Sequence, residues 1–222
     1  MGEHGTGHGL STRCVHAGDA RDAEGALHTP LYDHTTFGFD STADLLDVLE
    51  GRRVGNIYTR YGLNPTIRAA EAKLADLEGA EGALAFSSGM AAESAAILGH
   101  VQAGDRVVCI GDVYGGTQEL LAWNLPRLGV RSTFLMVDEA DRLAEALEER
   151  TRLVFFETPT NPALGVVDIA AAAEAAHAAG ALVIVDNTFA SPVNQTPLEH
   201  GADLVVHSAT KYLGGHSDPP AP

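Results

Sequence analysis

Residues 153–188 read LVFFETPTNPALGVVDIAAAAEAAHAAGALVIVDNT. Two apolar runs, 153–156 and 182–185, carry no polar alternation, which is how a strand covered on both faces reads. Between them lies an alanine-rich stretch, 169–179, of helical length and composition. Strand, helix and strand in that order imply a parallel sheet with helices packed on its faces.

The same alternation extends outward from this stretch. Further strands are predicted at 83–86, 106–110, 131–137 and 204–207, and further helices at 90–100, 118–128 and 140–150. Upstream, Asn64 suits a helix cap and Pro65 the first helical position. Ile67, Ala70, Leu74 and Leu77 recur at steps of three and four, and Gly79 ends the run. Ser41 with Asp44 caps a shorter helix ending near Leu49. No internal repeat is present. The first thirteen residues, rich in Gly, His and Ser, read as a flexible tail. His4 and His8 lie there without the spacing of a metal site, so no metal is expected.

Composition excludes several roles. The chain has 222 residues and a net charge of −16, which disfavours nucleic acid and anionic membrane as partners. No apolar run is long enough to span a bilayer. Cys14 and Cys109 form neither a CxxC pair nor a disulfide framework, which fits a reducing cytoplasm. Trp123 is expected to pack on a helix face.

Parallel α/β sheets bind ligands at the carboxyl ends of their strands, so the polar residues there are the candidates. Ser87-Ser88-Gly89-Met90 opens a helix and can present amides to an anion, although a plain N-cap explains the same residues. Tyr114 follows the second predicted strand and can cover a flat ligand or simply fill a turn. Asn161 stands between Pro159 and Pro162. Asp186, with Asn187 and Thr188, follows four apolar residues, and a carboxylate there must be paired or bear a desolvation cost. Ser208-Ala209-Thr210-Lys211 places a lysine just past the last predicted strand. An amine, an acid, an aromatic plate, hydroxyls and a helix N-terminus are together what pyridoxal 5′-phosphate requires.

From Ser11-Thr12-Arg13-Cys14 to Asp218, and most closely in Ser208-Ala209-Thr210-Lys211-Tyr212 followed by Gly214-Gly215-His216-Ser217-Asp218, the chain resembles the Cys/Met-metabolism family of pyridoxal-phosphate enzymes. These are the trans-sulfuration enzymes: cystathionine γ-synthase, cystathionine γ-lyase and the O-acyl-homoserine sulfhydrylases. The resemblance implies a fold-type I, aspartate aminotransferase-like α/β fold, with residues 1–60 as an arm to a neighbouring subunit's site and 61–222 as the cofactor-binding domain. It implies Lys211 as the Schiff-base lysine, Asp186 at the ring nitrogen, Tyr114 stacked on the ring and Asn161 near the ring hydroxyl. Ser88, Gly89, Met90, Thr188, Ser208 and Thr210 complete the cofactor set. Tyr58 and Arg60 would reach the phosphate of the next subunit, so a dimer is needed for a complete site and a tetramer is expected. The substrate implied is an amino acid carrying a leaving group or thioether at Cγ.

Three departures bear on this reading. The run Tyr58 to Thr66 carries one residue more than the family's pattern. Gly116 stands where specialised methionine γ-lyases usually have cysteine. The family continues well past the lysine, whereas this sequence stops in Pro219-Pro220-Ala221-Pro222. A C-terminally truncated or frame-shifted chain is therefore expected, one without the small domain and its carboxylate-binding arginine, loosely folded and inactive alone. A non-catalytic fragment, or an unrelated α/β binding module, are the competing readings.

Overall fold

The computed structural model describes residues 7–216. The chain forms two compact units, Met1–Ala85 and Phe86–Pro222.

In the first unit, α1 (Leu10–His16) occupies part of the stretch expected to be a tail. Its Arg13 Nε lies 2.8 Å from Asp76 on α3, and Lys73 of α3 donates to the carbonyls of Cys14 and Val15, which α1 leaves without intrahelical partners. His8 lies just before α1, and His4 is outside the described residues. α2 (Thr42–Leu49) is capped by Ser41. α3 (Pro65–Glu78) has the predicted start and stop: Asn64 accepts the Thr66 N–H, and Gly79 adopts the left-handed conformation, φ +70°.

The second unit holds one parallel five-stranded sheet with the order β2-β1-β3-β4-β5. Its strands are β1 (Arg106–Ile110), β2 (Arg131–Leu135), β3 (Thr151–Glu157), β4 (Leu182–Asp186) and β5 (Leu204–Val206). Side chains along the strands alternate between two cores, as the two-residue period requires. Val108, Ile110, Val154, Phe156, Val183 and Val185 pack with α8 (Ile169–Ala178). Val107, Cys109, Leu153, Phe155 and Ile184 pack on the other face with Ile97 of α4 (Gly89–Leu98) and with Leu120, Leu121 and Leu125.

Several expectations are corrected. Residues 83–86 join no sheet among the described residues, and Leu84 is 77% exposed; apolar residues make a strand only where a neighbouring edge offers hydrogen bonds. The helix expected at 118–128 begins earlier, as α5 (Gly115–Glu119), and continues through a π-helical turn, Leu120–Asn124, into α6 (Leu125–Arg127). Trp123 points away from the core and is 69% exposed, because the leucines of that helix occupy its inner face. The helix expected at 140–150 is a 3-10 segment, Val137–Arg142, followed by the short α7 (Leu143–Ala146). A further short helix, α9 (Ser191–Asn194), follows β4.

Candidate functional site

From β1 the chain runs to β2 on one side, whereas β3 lies on the other side of β1. The carboxyl ends of β1 and β3 therefore form a topological switch point, where the following loops diverge and leave a crevice. Tyr114 follows β1 as the residue preceding α5, with half its surface exposed. Its backbone N–H donates to Glu157 Oε1 at 2.5 Å. Glu157 ends β3 and is the register partner of Asp186, which ends β4. Both carboxylates are buried.

The next strand end is tied in through a threonine. Asp186 Oδ1 accepts the Thr188 N–H at 2.8 Å, and the Thr188 hydroxyl accepts the Ser208 N–H at 2.8 Å. Ser208 starts the turn that Lys211 closes, with the Lys211 N–H donating to the Ser208 carbonyl at 3.1 Å. Thr210 and Lys211 are exposed on that turn. Ser88 caps α4 by accepting the Ala91 N–H, which leaves Gly89 and Met90 in the first turn, where amides lack intrahelical acceptors. Gly89 sits so close to the Ser208 loop that a Cβ there would lie 2.8 Å from the Ser208 Cβ. Asn161 is partly buried, and its backbone favours the charged form of the Glu157 carboxyl. Tyr58 and Arg60 belong to the first unit, where the Arg60 guanidinium carbon is 5.6 Å from the Tyr58 ring centroid.

Burial dominates the electrostatics. It raises the carboxyl of Asp186, against the opposing effect of the Thr188 hydroxyl and N–H and of His207. Burial pushes Glu157 up to about 7, opposed by the Tyr114 N–H. It does the same to Glu93 on α4, also to about 7, opposed by the Thr117 hydroxyl. Neither Glu93 nor Glu157 was singled out from sequence. The signal that marks Asp186, a carboxylate closing a buried apolar strand, marks Glu157 equally; Glu93 gives no such signal, being one polar residue in an apolar helix.

The description Cys/Met metabolism PLP-dependent enzyme belongs to a family model that matches residues 11–219. The chain belongs to that family. It is 46% identical to the cystathionine gamma-synthase of Mycobacterium tuberculosis H37Rv, over 98% of this chain and 55% of that protein. It is 45% identical to the L-methionine gamma-lyase of Fusobacterium nucleatum subsp. polymorphum, over 95% of this chain and 53% of that protein. Among solved structures, metB from Corynebacterium glutamicum superposes with a TM-score of 0.89 at 43% identity, covering 97% of this chain and 54% of that one. A putative O-acetylhomoserine (thiol)-lyase from Campylobacter jejuni, which carries a pyridoxyl-lysine monophosphate, superposes with a TM-score of 0.89 at 30% identity, over 96% and 52%. The chain thus spans about half the length of the relatives it matches.

The donor set fits the family's cofactor. Three buried carboxyls are raised by burial, and a cationic ring nitrogen among them would relieve that cost. The close approach of Gly89 to Ser208 brings first-turn amides and hydroxyls together, as a phosphate requires. Among the described residues no cluster of His, Cys, Asp and Glu could hold a metal ion, and no helix is long and apolar enough to cross a membrane.

Proposed function

We propose that this chain forms the cofactor-binding part of a pyridoxal-phosphate enzyme that performs γ-replacement on homoserine-derived amino acids. The observation that carries the reading is the hydrogen-bonded series from Asp186 through Thr188 to Ser208, at the start of the Lys211 turn. When bound, pyridoxal phosphate supplies an aldehyde that anchors amines and a ring that withdraws electrons.

In this reading Asp186 holds the proton on the ring nitrogen and Tyr114 covers the ring. The Asn161 side chain meets the ring hydroxyl, and Thr188 braces Asp186. The Gly89 and Met90 amides, in a turn capped by Ser88, hold the phosphate with the Ser208 and Thr210 hydroxyls. The Lys211 amine anchors the cofactor and, once free, moves the proton at the substrate Cα. Residues 1–60 serve as an arm whose Tyr58 and Arg60 reach a neighbouring subunit's phosphate, bidentately in the case of Arg60. The complete site is therefore dimeric.

A second reading is γ-elimination, the reaction that the name of the Fusobacterium relative denotes. Gly116 argues against the specialised methionine γ-lyase form of this second reading, in which a cysteine usually stands there. A Cβ there would lie 2.8 Å from Met90 Sδ and 2.9 Å from Tyr114 Cε1, so a cysteine at this position would displace the tyrosine ring.

The test uses the protein that carries this chain. The sequence has two lysines, and Lys73 is engaged at the end of α1. Borohydride reduction of the cofactor-loaded protein is expected to label Lys211, and Lys211→Ala to remove the visible band. Label on Lys73 rejects the assignment. With an O-acyl-homoserine and a thiol, the expected product is the thioether; keto acid and ammonia as main products would favour the second reading.

A further inference from the structure

The loops after β1 and β3 diverge, and no ladder hydrogen bonds continue between them beyond Ile110 and Phe156. One side chain spans them. Glu157, which closes β3 and opens the second loop, accepts the backbone N–H of Tyr114 on the first loop, and the Asn161 backbone on its own loop favours its charged form. Its neighbour across the next pair of strands is Asp186. The three residues assigned to the face, hydroxyl and nitrogen of the cofactor ring therefore all meet Glu157 or flank it. Glu157 is 5% exposed, and the acidic groups facing it are Glu93 from α4, Cys109 from β1 and Asp186 from β4. No cation is among them. A buried carboxylate in such surroundings costs stability unless several donors satisfy it, and the donors found here belong to the ring-binding loops.

We infer that Glu157 is a positioning residue of the cofactor site, holding Tyr114 by its backbone in one fixed geometry beside Asp186 and at the head of the Asn161 loop. This rests on the roles proposed above for those three residues. The side chain need not touch the cofactor. Glutamine keeps the length but turns one acceptor oxygen into a donor facing an N–H. Aspartate keeps the charge but is one methylene too short to reach the Tyr114 N–H across the crevice.

Both variants are made in the cofactor-loaded protein, and the readings are the circular dichroism of the bound cofactor and its dissociation constant. For Glu157→Gln the cofactor signal is expected to fall by half or more and the dissociation constant to rise about tenfold, with far-UV spectrum and the label on Lys211 retained. Glu157→Asp is expected to show the same losses. A merely structural role would lower the melting temperature without changing the cofactor signal, and a purely electrostatic role would be rescued by aspartate; either result overturns the inference. If the glutamine variant does not fold, the aspartate variant decides by the same readings. Wild-type protein that takes up no pyridoxal phosphate overturns the reading of the site, and this inference with it.

Discussion

A carboxylate closing a strand that is buried on both faces needs donors, a cation or a proton. Asp186 and Glu157 have donors, and Glu93 has the Thr117 hydroxyl, yet burial still raises all three. For Glu93 and Glu157 the folded chain holds a proton up to about 7, whereas the ordinary carboxyl releases it near 4.5. Between these values the fold binds more protons than the unfolded chain, so its stability falls as pH rises through that window. Glu93→Gln keeps an acceptor for Thr117 and removes the charge. The cofactor-free variant is expected to be more stable than wild type at pH 8, by up to about 3 kcal/mol, and to match it near pH 4. Urea titrations at the two pH values check this; an equal change at both would show that Glu93 is not the group being discharged. The order of legibility at this scale is physical. Asp186 is legible because a strand-end carboxylate breaks an apolar run; Glu157 carries the same signal but is missed, whereas the burial of Glu93 depends on how α4 and α5 pack.

Elements were legible where local chemistry and burial agree. Four of the five sheet strands are fully apolar on both faces or nearly so, and their runs announce them; α3 announces itself by its cap, its proline and its closing glycine. Residues 83–86 carry the same composition without a neighbouring edge, so composition alone misled there. The tail was misread for the opposite reason: α1 has little apolar periodicity, and it is held by Arg13 and Lys73 against α3. Asn64 shows how much one capping residue can organise. It is 3% exposed, accepts the Thr66 N–H and donates from its amide to the Tyr32 carbonyl and the Thr59 hydroxyl. Asn64→Ala removes the cap and both amide donations, at a cost of about 2–4 kcal/mol. The denaturant midpoint should fall accordingly. The loss should be larger than for Asp168→Ala at the start of α8, where only a single exposed cap bond, from the Ala171 N–H, is removed. Equal losses would mean that the two amide donations of Asn64 contribute nothing.

At the scale of the whole molecule, a chain of net charge −16 must attract an anionic phosphate against its own field. In the proposed site, amides at α4 would offset part of that, and Arg60 from another subunit would add a full charge beside Lys211. The exposed apolar residues of the first unit, Leu31 and Val54 at 86% each, supply surface that association can bury. If Arg60 serves a neighbouring subunit while Lys211 serves its own, then Arg60→Ala and Lys211→Ala damage different parts of a shared site. Each variant alone is expected to be nearly inactive. In a hybrid dimer, the subunit bearing Arg60→Ala keeps its lysine and receives an intact arginine from its partner, so one of the two sites is whole. Random exchange makes half of the dimers hybrid, and mixing equal amounts under conditions that permit subunit exchange should restore about a quarter of wild-type activity. An arginine acting within its own chain would give no restoration at any mixing ratio, because every site would then lack either its arginine or its lysine.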